Sequence, residues 1–292
     1  MIGATWQQLD LSQMSRVLFL KQISILVAGK EAQLKGHEVS NDLFSLHGKT
    51  TLVTGGYQGI GKVVAHALAA AGSNIAIVDL QDASDVTEKI ASEYGVKAAA
   101  FTCDVTKPDQ VGEVVRAAAL ELGGLDALFN NAGIVLHKES LELEPAEFTK
   151  VIDVNLNGIF FVAQAFGRYL REQNKRGAVV NTASMSATIV NIPQAQASYN
   201  ASKAGVKHLT KSLAVEWAPF GIRVNSISPG YIATDLIGDV REDWLEAWKQ
   251  MIPFKRLGAP EELAGAAIYL ISDASTYTSG ADLVIDGCFT AV

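Results

Sequence analysis

A short apolar run, residues 51–54, passes directly into Thr54-Gly55-Gly56-Tyr57-Gln58-Gly59-Ile60-Gly61, where an Ala-rich segment of helical period begins. This junction constrains the fold more than any other stretch of the chain. Glycine allows the backbone conformations that a tight strand-to-helix turn needs, and its missing side chain lets a diphosphate approach the main chain. The start of the helix then offers unpaired N–H groups and the positive end of its dipole. The spacing is Gly-x-x-x-Gly-x-Gly, not the better-known Gly-x-Gly-x-x-Gly. A plain turn would also use glycines. Here, however, the next apolar run closes on Asp79, where an acid takes the adenosine ribose hydroxyls of a dinucleotide. Strand, turn, helix, strand and acid together favour a dinucleotide site.

The rest of the chain repeats the alternation. Further strands are expected at residues 74–79, 98–102, 125–130, 178–182, 222–228 and 282–285. Helices are expected at 59–71, 84–94, 108–122, 145–174, 198–218 and 260–272. Pro108 sits where a helix starts, and Pro219 with Gly221 where one stops. The strands are apolar on both faces, the mark of a parallel sheet covered by helices on both sides. The expected fold class is therefore α/β: one Rossmann-type doubly wound parallel sheet of about seven strands, spanning residues 44–292.

Residues 1–43 read as an extension before that domain. Its apolar stretch, residues 17–28, is broken by Lys21 and Gln22 and is too short and polar for a membrane span. Arg16, Lys21 and Lys30 are interleaved with Asp10 and Glu31, unlike an organelle presequence. A cytoplasmic location is expected, with a mitochondrial one as the alternative. A formal net charge of −7 argues against nucleic acid as a partner, because phosphate binding needs clustered Lys and Arg. Two cysteines, Cys103 and Cys288, make no disulfide framework. The five histidines, His137 among them, show no ligand spacing, so no metal is expected and surface or core roles are the simpler reading.

Tyr199 and Lys203 lie four apart at the start of an expected helix, so they share a face. A free phenol titrates near a pKa of about 10, and a neighbouring ammonium favours the phenolate. Such a pair can serve as a general acid and base. Alone, Tyr-x-x-x-Lys is common; its setting gives it meaning. Thr54-Gly55-x-x-x-Gly59-Ile60-Gly61, Asp104-Val105, Asn130-Asn131-Ala132-Gly133, Asn155, Asn181-x-x-Ser184, Tyr199-x-x-x-Lys203 and Pro229-Gly230 follow one another in order. In this order and spacing, from about Phe44 to Gly287, the chain resembles the short-chain dehydrogenase/reductase family.

The resemblance implies roles. Tyr199 would exchange a proton with the substrate oxygen. Lys203 would bind the nicotinamide ribose and lower the tyrosine pKa. Ser184 would stabilise the substrate oxygen as charge develops, and Asn155 would hold a water that links Lys203 to solvent. Gly55, Tyr57, Gln58, Gly59, Ile60 and Gly61 would line the cofactor. Asp104 and Val105 would meet the adenine, and Asn131, with Ala132 and Gly133 beside it, the adenine-side ribose. Ile232 and Thr234, after Pro229 and Gly230, would meet the carboxamide and phosphates. Asp79 would repel the extra phosphate of NADP, and Gln58 is uncharged, so NAD(H) is favoured and NADP(H) is the alternative. Two serines compete for the catalytic place. Ser186 has the family's usual thirteen-residue distance to the tyrosine, whereas Ser184 keeps the offset of three from Asn181 at the strand end. Strand-end geometry should govern, so Ser184 is expected to be catalytic and Ser186 to make a second polar contact. Cys288 stands where the family often has a second glycine; a packing role is expected.

Residues 184–194, 216–219 and 228–235 resemble fungal polyol dehydrogenases, such as mannitol and D-arabinitol 2-dehydrogenases, and yeast carbonyl reductases. That implies interconversion of a sugar alcohol and its ketose. Ser186, Asn191 and Gln194 are candidate substrate contacts, although a polar surface loop explains the two amides equally well. Residues 236–254 fall at the family's substrate lid, where Trp244 and Trp248 either shape the site or simply pack. Reduction of non-sugar ketones and non-catalytic nucleotide binding are the alternatives. A dehydratase or epimerase would show another glycine spacing and a longer C-terminal region, and an enoyl reductase a Tyr-x-x-Met-x-x-x-Lys arrangement. The family also implies a homotetramer or homodimer.

Overall fold

The computed structural model describes residues 42–234 and 241–292. Strands β1 (Thr50–Thr54), β2 (Asn74–Asp79), β3 (Ala98–Thr102), β4 (Ala127–Asn130), β5 (Gly177–Thr182), β6 (Ile222–Pro229) and β7 (Asp282–Ile285) form one sheet. Its order is β3-β2-β1-β4-β5-β6-β7, and every neighbouring pair is parallel. Within each strand, side chains alternate between two apolar layers. Val53, Ile75, Ile77, Phe129 and Val180 enter one; Leu52, Ala76, Val78, Leu128 and Val179 enter the other. Both faces of the five inner strands are buried, so these strands carry no solvent face, as their sequence implied, while the edge strands β3 and β7 are only partly covered.

The helices cover the two layers. On the first lie α1 (Gly59–Ala70), α2 (Ser84–Tyr94) and α8 (Ala264–Ile271). On the second lie α3 (Pro108–Leu122), α5 (Ile159–Glu172) and α6 (Ala197–Trp217). Of two shorter helices, α4 (Pro145–Ile152) packs against α6, and α7 (Glu242–Met251) reaches Tyr231, beyond the end of β6, through Trp248. Pro108 occupies the first turn of α3, and Gly123 closes it in the left-handed conformation, as the helix-end chemistry of these residues predicts. Residues 260–272 begin as a 3-10 turn, Pro260–Leu263, before α8. No helix among the described residues is long and apolar enough to cross a membrane. Residues 1–41 lie outside the described residues, as do 235–240 of the expected lid.

The expected single helix over 145–174 is built differently. Between α4 and α5 the chain makes a π-helical turn, Asp153–Gly158. Such a wide turn breaks the regular hydrogen-bond ladder and is often found at functional sites. Asn155 sits in it, fully buried. Sequence periodicity passes through a π turn almost unchanged, which is why it left no signal.

The C-terminal ends of three strands are tied together by buried side chains. Thr54 Oγ1 donates to Asn130 Oδ1 at 3.2 Å, and Asn130 Nδ2 donates to Asn181 Oδ1 at 3.2 Å. Asn181 Nδ2 in turn donates to Thr210 Oγ1 of α6 at 3.0 Å. This belt joins the glycine-rich turn to the helix that carries Tyr199 and Lys203. Cys288, expected to pack, is exposed and adopts a left-handed backbone with φ of 69°; that conformation suits the glycine it replaces. Replacing Asn181 by Ala takes one partner each from Asn130 Nδ2, which keeps the Ile159 carbonyl, and from the Thr210 hydroxyl, which keeps the Val206 carbonyl, and unfolding free energy should fall by about 1–3 kcal/mol. A denaturant midpoint unchanged in the Asn181→Ala protein would show that the belt does not tie the strand ends.

Candidate active site

The glycine-rich turn follows β1, and two of its glycines are required by close approach. A Cβ on Gly61 would lie 2.0 Å from the Gly55 carbonyl oxygen, and one on Gly55 would lie 2.9 Å from Ala132 Cα. Gly59 has φ of 57°, and the nearest atoms to a Cβ there belong to the Thr234 side chain, at 3.8 Å and beyond. The turn and Thr234 therefore face one another across a narrow space. Helix α1 begins with no side-chain cap and no acid in its first turn, so its N-terminal N–H groups and dipole are free for an anion. A cradle of bare backbone at a helix start has the donor set a dinucleotide diphosphate needs.

Neighbouring residues brace this cradle. Thr54 Oγ1 accepts from the backbone N–H groups of Asn131 at 2.9 Å and Ala132 at 3.1 Å. Asn131 Nδ2 donates to the Thr54 and Gly55 carbonyls, and its Oδ1 accepts from Thr182 Oγ1. Its amide thus ties the end of β4 to the glycine-rich turn. The Asp104 carboxylate accepts from Thr106 N and Oγ1, and these bonds hold its pKa below the usual carboxylate value. Val105 packs against Gly158 of the π turn, where a Cβ would come within 2.9 Å. Gly230 lies against the Asp286 backbone, and Ile232 pairs with Gly258 in an isolated bridge. Together they direct the segment after Pro229 back over the sheet edge.

Asp79 was expected to face the ribose and repel an added phosphate. Its carboxylate accepts from the backbone N–H groups of Tyr57 at 3.0 Å and Gln81 at 3.1 Å, one bond to each oxygen. Both oxygens are engaged by the loops beside them. Two amide donors offset part of the negative charge, which weakens the argument for NAD(H).

The reacting groups converge at the ends of β4 and β5. Lys203, only 3% exposed, donates to the Thr182 carbonyl at 2.7 Å. Burial pushes its pKa down to about 8. Its Nζ lies 5.7 Å from the centre of the Tyr199 ring. Burial pushes the Tyr199 phenol up, and a hydrogen bond from Ser184 opposes that shift. This direction is contrary to the expected lowering, because desolvation of the phenolate outweighs the help of Ser184. Asn155 is clamped on both sides of its amide: Oδ1 accepts from Ile134 N at 2.8 Å, while Nδ2 donates to Ile134 O at 2.8 Å and Ser202 Oγ at 3.1 Å. A Cβ on Gly133 would stand 3.2 Å from Asn155 Oδ1 and 3.6 Å from Lys203 Nζ. The bare glycine leaves room between those two polar groups.

Of the two competing serines, Ser184 is the one that bears on the Tyr199 phenol, opposing the rise that burial gives its pKa. Ser186 turns away: its hydroxyl donates to Asn191 Oδ1 at 2.7 Å, and its N–H donates to Ser184 Oγ at 3.1 Å. Asn191 and Gln194 are buried, so the reading of a polar surface loop does not hold. Their amides are bonded inside the protein, to Tyr231, Gln196 and Trp248. Helix α7 brings both lid tryptophans to the cleft. Trp248 stacks on Tyr231 with ring centres 4.1 Å apart, and Trp244 meets His137 edge-on at 5.3 Å. Burial pushes the His137 pKa down, and Gln196 opposes that shift. Sequence reasoning missed Tyr231, Gln196 and His137. The one available signal was their position: Tyr231 directly follows Pro229-Gly230, and His137 follows the Asn131–Gly133 turn.

Comparison with known proteins agrees with this geometry. A family model described as enoyl-(acyl carrier protein) reductase matches residues 55–290. The sorbose reductase sou1 of Schizosaccharomyces pombe is 48% identical over 249 residues, covering 84% of this chain and 97% of its own. An NADP-dependent mannitol dehydrogenase of Hypocrea jecorina is 42% identical, covering 85% of this chain and 95% of its own. A short-chain type dehydrogenase/reductase from Mycobacterium marinum superposes with a TM-score of 0.83 at 46% identity, covering 86% of this chain and 99% of that one. The preference for NAD(H) drawn from Asp79 and Gln58 is thus not supported, since the relative named for its cofactor uses NADP. The dinucleotide cradle itself is open to a direct check. Because a Gly61 Cβ would collide with the Gly55 carbonyl, Gly61→Ala should weaken NADPH binding at least tenfold, an effect of about 1.4 kcal/mol. Unaltered enhancement of NADPH fluorescence on titration with that variant would remove the cradle from the account.

Proposed function

As a member of the short-chain dehydrogenase/reductase family, the chain is a nicotinamide-dependent oxidoreductase, and we propose that it reduces a ketose to its sugar alcohol with NADPH and runs the reverse reaction with NADP. The observation that carries the reading is the Ser184–Tyr199–Lys203 cluster beside a bare-backbone cradle. The sugar substrate is supported by the likeness to a sorbose reductase and a mannitol dehydrogenase. The choice of NADP is supported by the second of these names and by the two amide donors that occupy Asp79.

Gly55, Gly59, Ile60 and Gly61 would hold the diphosphate with Thr234, and Lys203 the nicotinamide ribose. When bound, the nicotinamide supplies the hydride to the carbonyl carbon or takes it back. Tyr199 gives its phenolic proton to the carbonyl oxygen as that oxygen gains charge. Burial keeps the phenol protonated, which is the acid form that reduction requires. The Ser184 hydroxyl donates a hydrogen bond to the same oxygen and stabilises it during transfer. Lys203, held by the Thr182 carbonyl, places a positive charge beside the phenolate left behind. Asn155, through the space beside Gly133, stands where a proton can be returned from solvent. In the oxidative direction each proton moves the opposite way, and Tyr199 acts as the base.

Two measurements test this reading together. With L-sorbose or D-fructose, kcat/KM with NADPH should exceed that with NADH at least tenfold, followed by loss of near-ultraviolet absorbance. Tyr199→Phe should lower kcat by about a thousandfold while NADPH still binds. Reduction supported equally by NADH would overturn the cofactor assignment. A Tyr199→Phe enzyme that kept a tenth of its activity would overturn the mechanism.

A further inference from the structure

The buried amides between the lid helix and the Ser184 loop fix the direction of every hydrogen bond around one phenol. The Trp248 indole can only donate, and its Nε1–H goes to Gln194 Oε1 at 3.0 Å. The other end of that amide, Nε2, therefore faces Tyr231 and donates to its oxygen at 3.0 Å. On the opposite side, Ser186 Oγ and Gln196 Nε2 both donate to Asn191 Oδ1, at 2.7 and 3.0 Å. Asn191 Nδ2 is thereby turned to Tyr231 and donates to the same oxygen at 3.1 Å. A phenol oxygen has two lone pairs and one hydrogen. Both lone pairs of Tyr231 are taken, so its O–H is left only to donate. None of the hydrogen bonds among the described residues gives that hydrogen an acceptor.

The ring cannot swing away to find one. It is stacked on Trp248 at an interplanar angle of 11°, with Phe289 edge-on at 5.6 Å. Tyr231 follows the end of β6, and β6 pairs with β5, whose end leads to Ser184. A chain of hydrogen-bonded residues connects Ser184 to the phenol: Ser186 N donates to Ser184 Oγ, Ser186 Oγ donates to Asn191 Oδ1, and Asn191 Nδ2 donates to Tyr231. Burial also holds the Tyr231 pKa up, which preserves the hydrogen.

We propose that the Tyr231 hydroxyl is a dedicated hydrogen-bond donor to a hydroxyl oxygen of the ketose or polyol, on a carbon other than the reacting one, and that it selects hydroxylated ketones over plain ones. The inference rests on the sugar reading above and names the residue that enforces it. A ketone without a second oxygen leaves the donor unmatched, and an unmatched buried donor is costly. Asn191, Gln194 and Ser186 then act through Tyr231 rather than on the substrate.

The test compares L-sorbose with cyclohexanone, both with NADPH, in the wild type, Tyr231→Phe and Gln194→Glu. Wild-type rates are read first; reduction of cyclohexanone but of no ketose overturns the sugar reading, and this inference falls with it. Given ketose turnover, Tyr231→Phe should lower the sorbose-to-cyclohexanone ratio of kcat/KM about tenfold, mainly by raising KM for sorbose. Gln194→Glu keeps the phenol but replaces the Nε2 donor with a carboxylate oxygen, which can only accept. Tyr231 then donates to Glu instead of to substrate, and the ratio should fall in the same direction. Loosening of the lid alone would slow both substrates in proportion. A ratio unchanged in Tyr231→Phe, or a fall there with none in the folded Gln194→Glu protein, would overturn the proposal.

Discussion

Asn130 and Asn181 stand where an apolar sheet meets the site, and the arrangement depends on how these buried amides are satisfied. Each ends a strand inside a dry interior, and each has found its partner on the next element: Thr54 to Asn130 to Asn181 to Thr210. A buried amide left unpaired costs more than a paired one contributes, so the belt admits few alternative positions of the strand ends. On one side it fixes Thr54, whose hydroxyl receives the Asn131 and Ala132 amides and so fixes the cradle. On the other it fixes α6 through Thr210, two turns beyond Lys203. The cofactor turn and the acid/base pair are thus held by one line of side-chain bonds across three strands.

The same logic governs the reacting lysine. Lys203 is a cation in the interior, anchored on a strand-end carbonyl, with its pKa brought down to about 8. Desolvation acts on the neighbouring phenol in the opposite sense and keeps its proton on. One environment therefore moves the two groups apart on the pH scale, because it disfavours the charged form of each: the phenolate and the ammonium. Ser184 belongs to the same unit, because the end of β5 sets both its hydroxyl and the carbonyl that holds Lys203.

Much of this could be read from the residues in order. Doubly apolar strands, Pro108 at a helix start and Gly221 after a helix end each have a local cause, and the strands and helices α1, α2, α3 and α6 begin and end within a residue or two of the expected ones. Ser184 was preferred over Ser186 because a strand end fixes geometry where a loop does not, and the Ser186 hydroxyl is committed to Asn191. What escaped was set by distant partners. The charge of Asp79 looked uncompensated because nothing in the sequence shows that the Tyr57 amide, 22 residues away, donates to it. The π turn around Asn155 keeps helical periodicity while displacing one residue. Asn191 and Gln194 have the composition of a surface loop, and only the lid helix, more than fifty residues on, makes them interior.

The central claim is that hydride passes directly between the nicotinamide and a ketose carbonyl while Tyr199 handles the proton. The most direct measurement reduces L-sorbose with NADPH labelled by deuterium at both C4 positions, in ordinary water, and locates the label by proton and deuterium NMR. The account predicts one deuterium at the newly formed carbinol carbon and ordinary hydrogen on its oxygen. Product carrying solvent hydrogen at that carbon, or labelled NADPH consumed with no label in the alcohol, would contradict it.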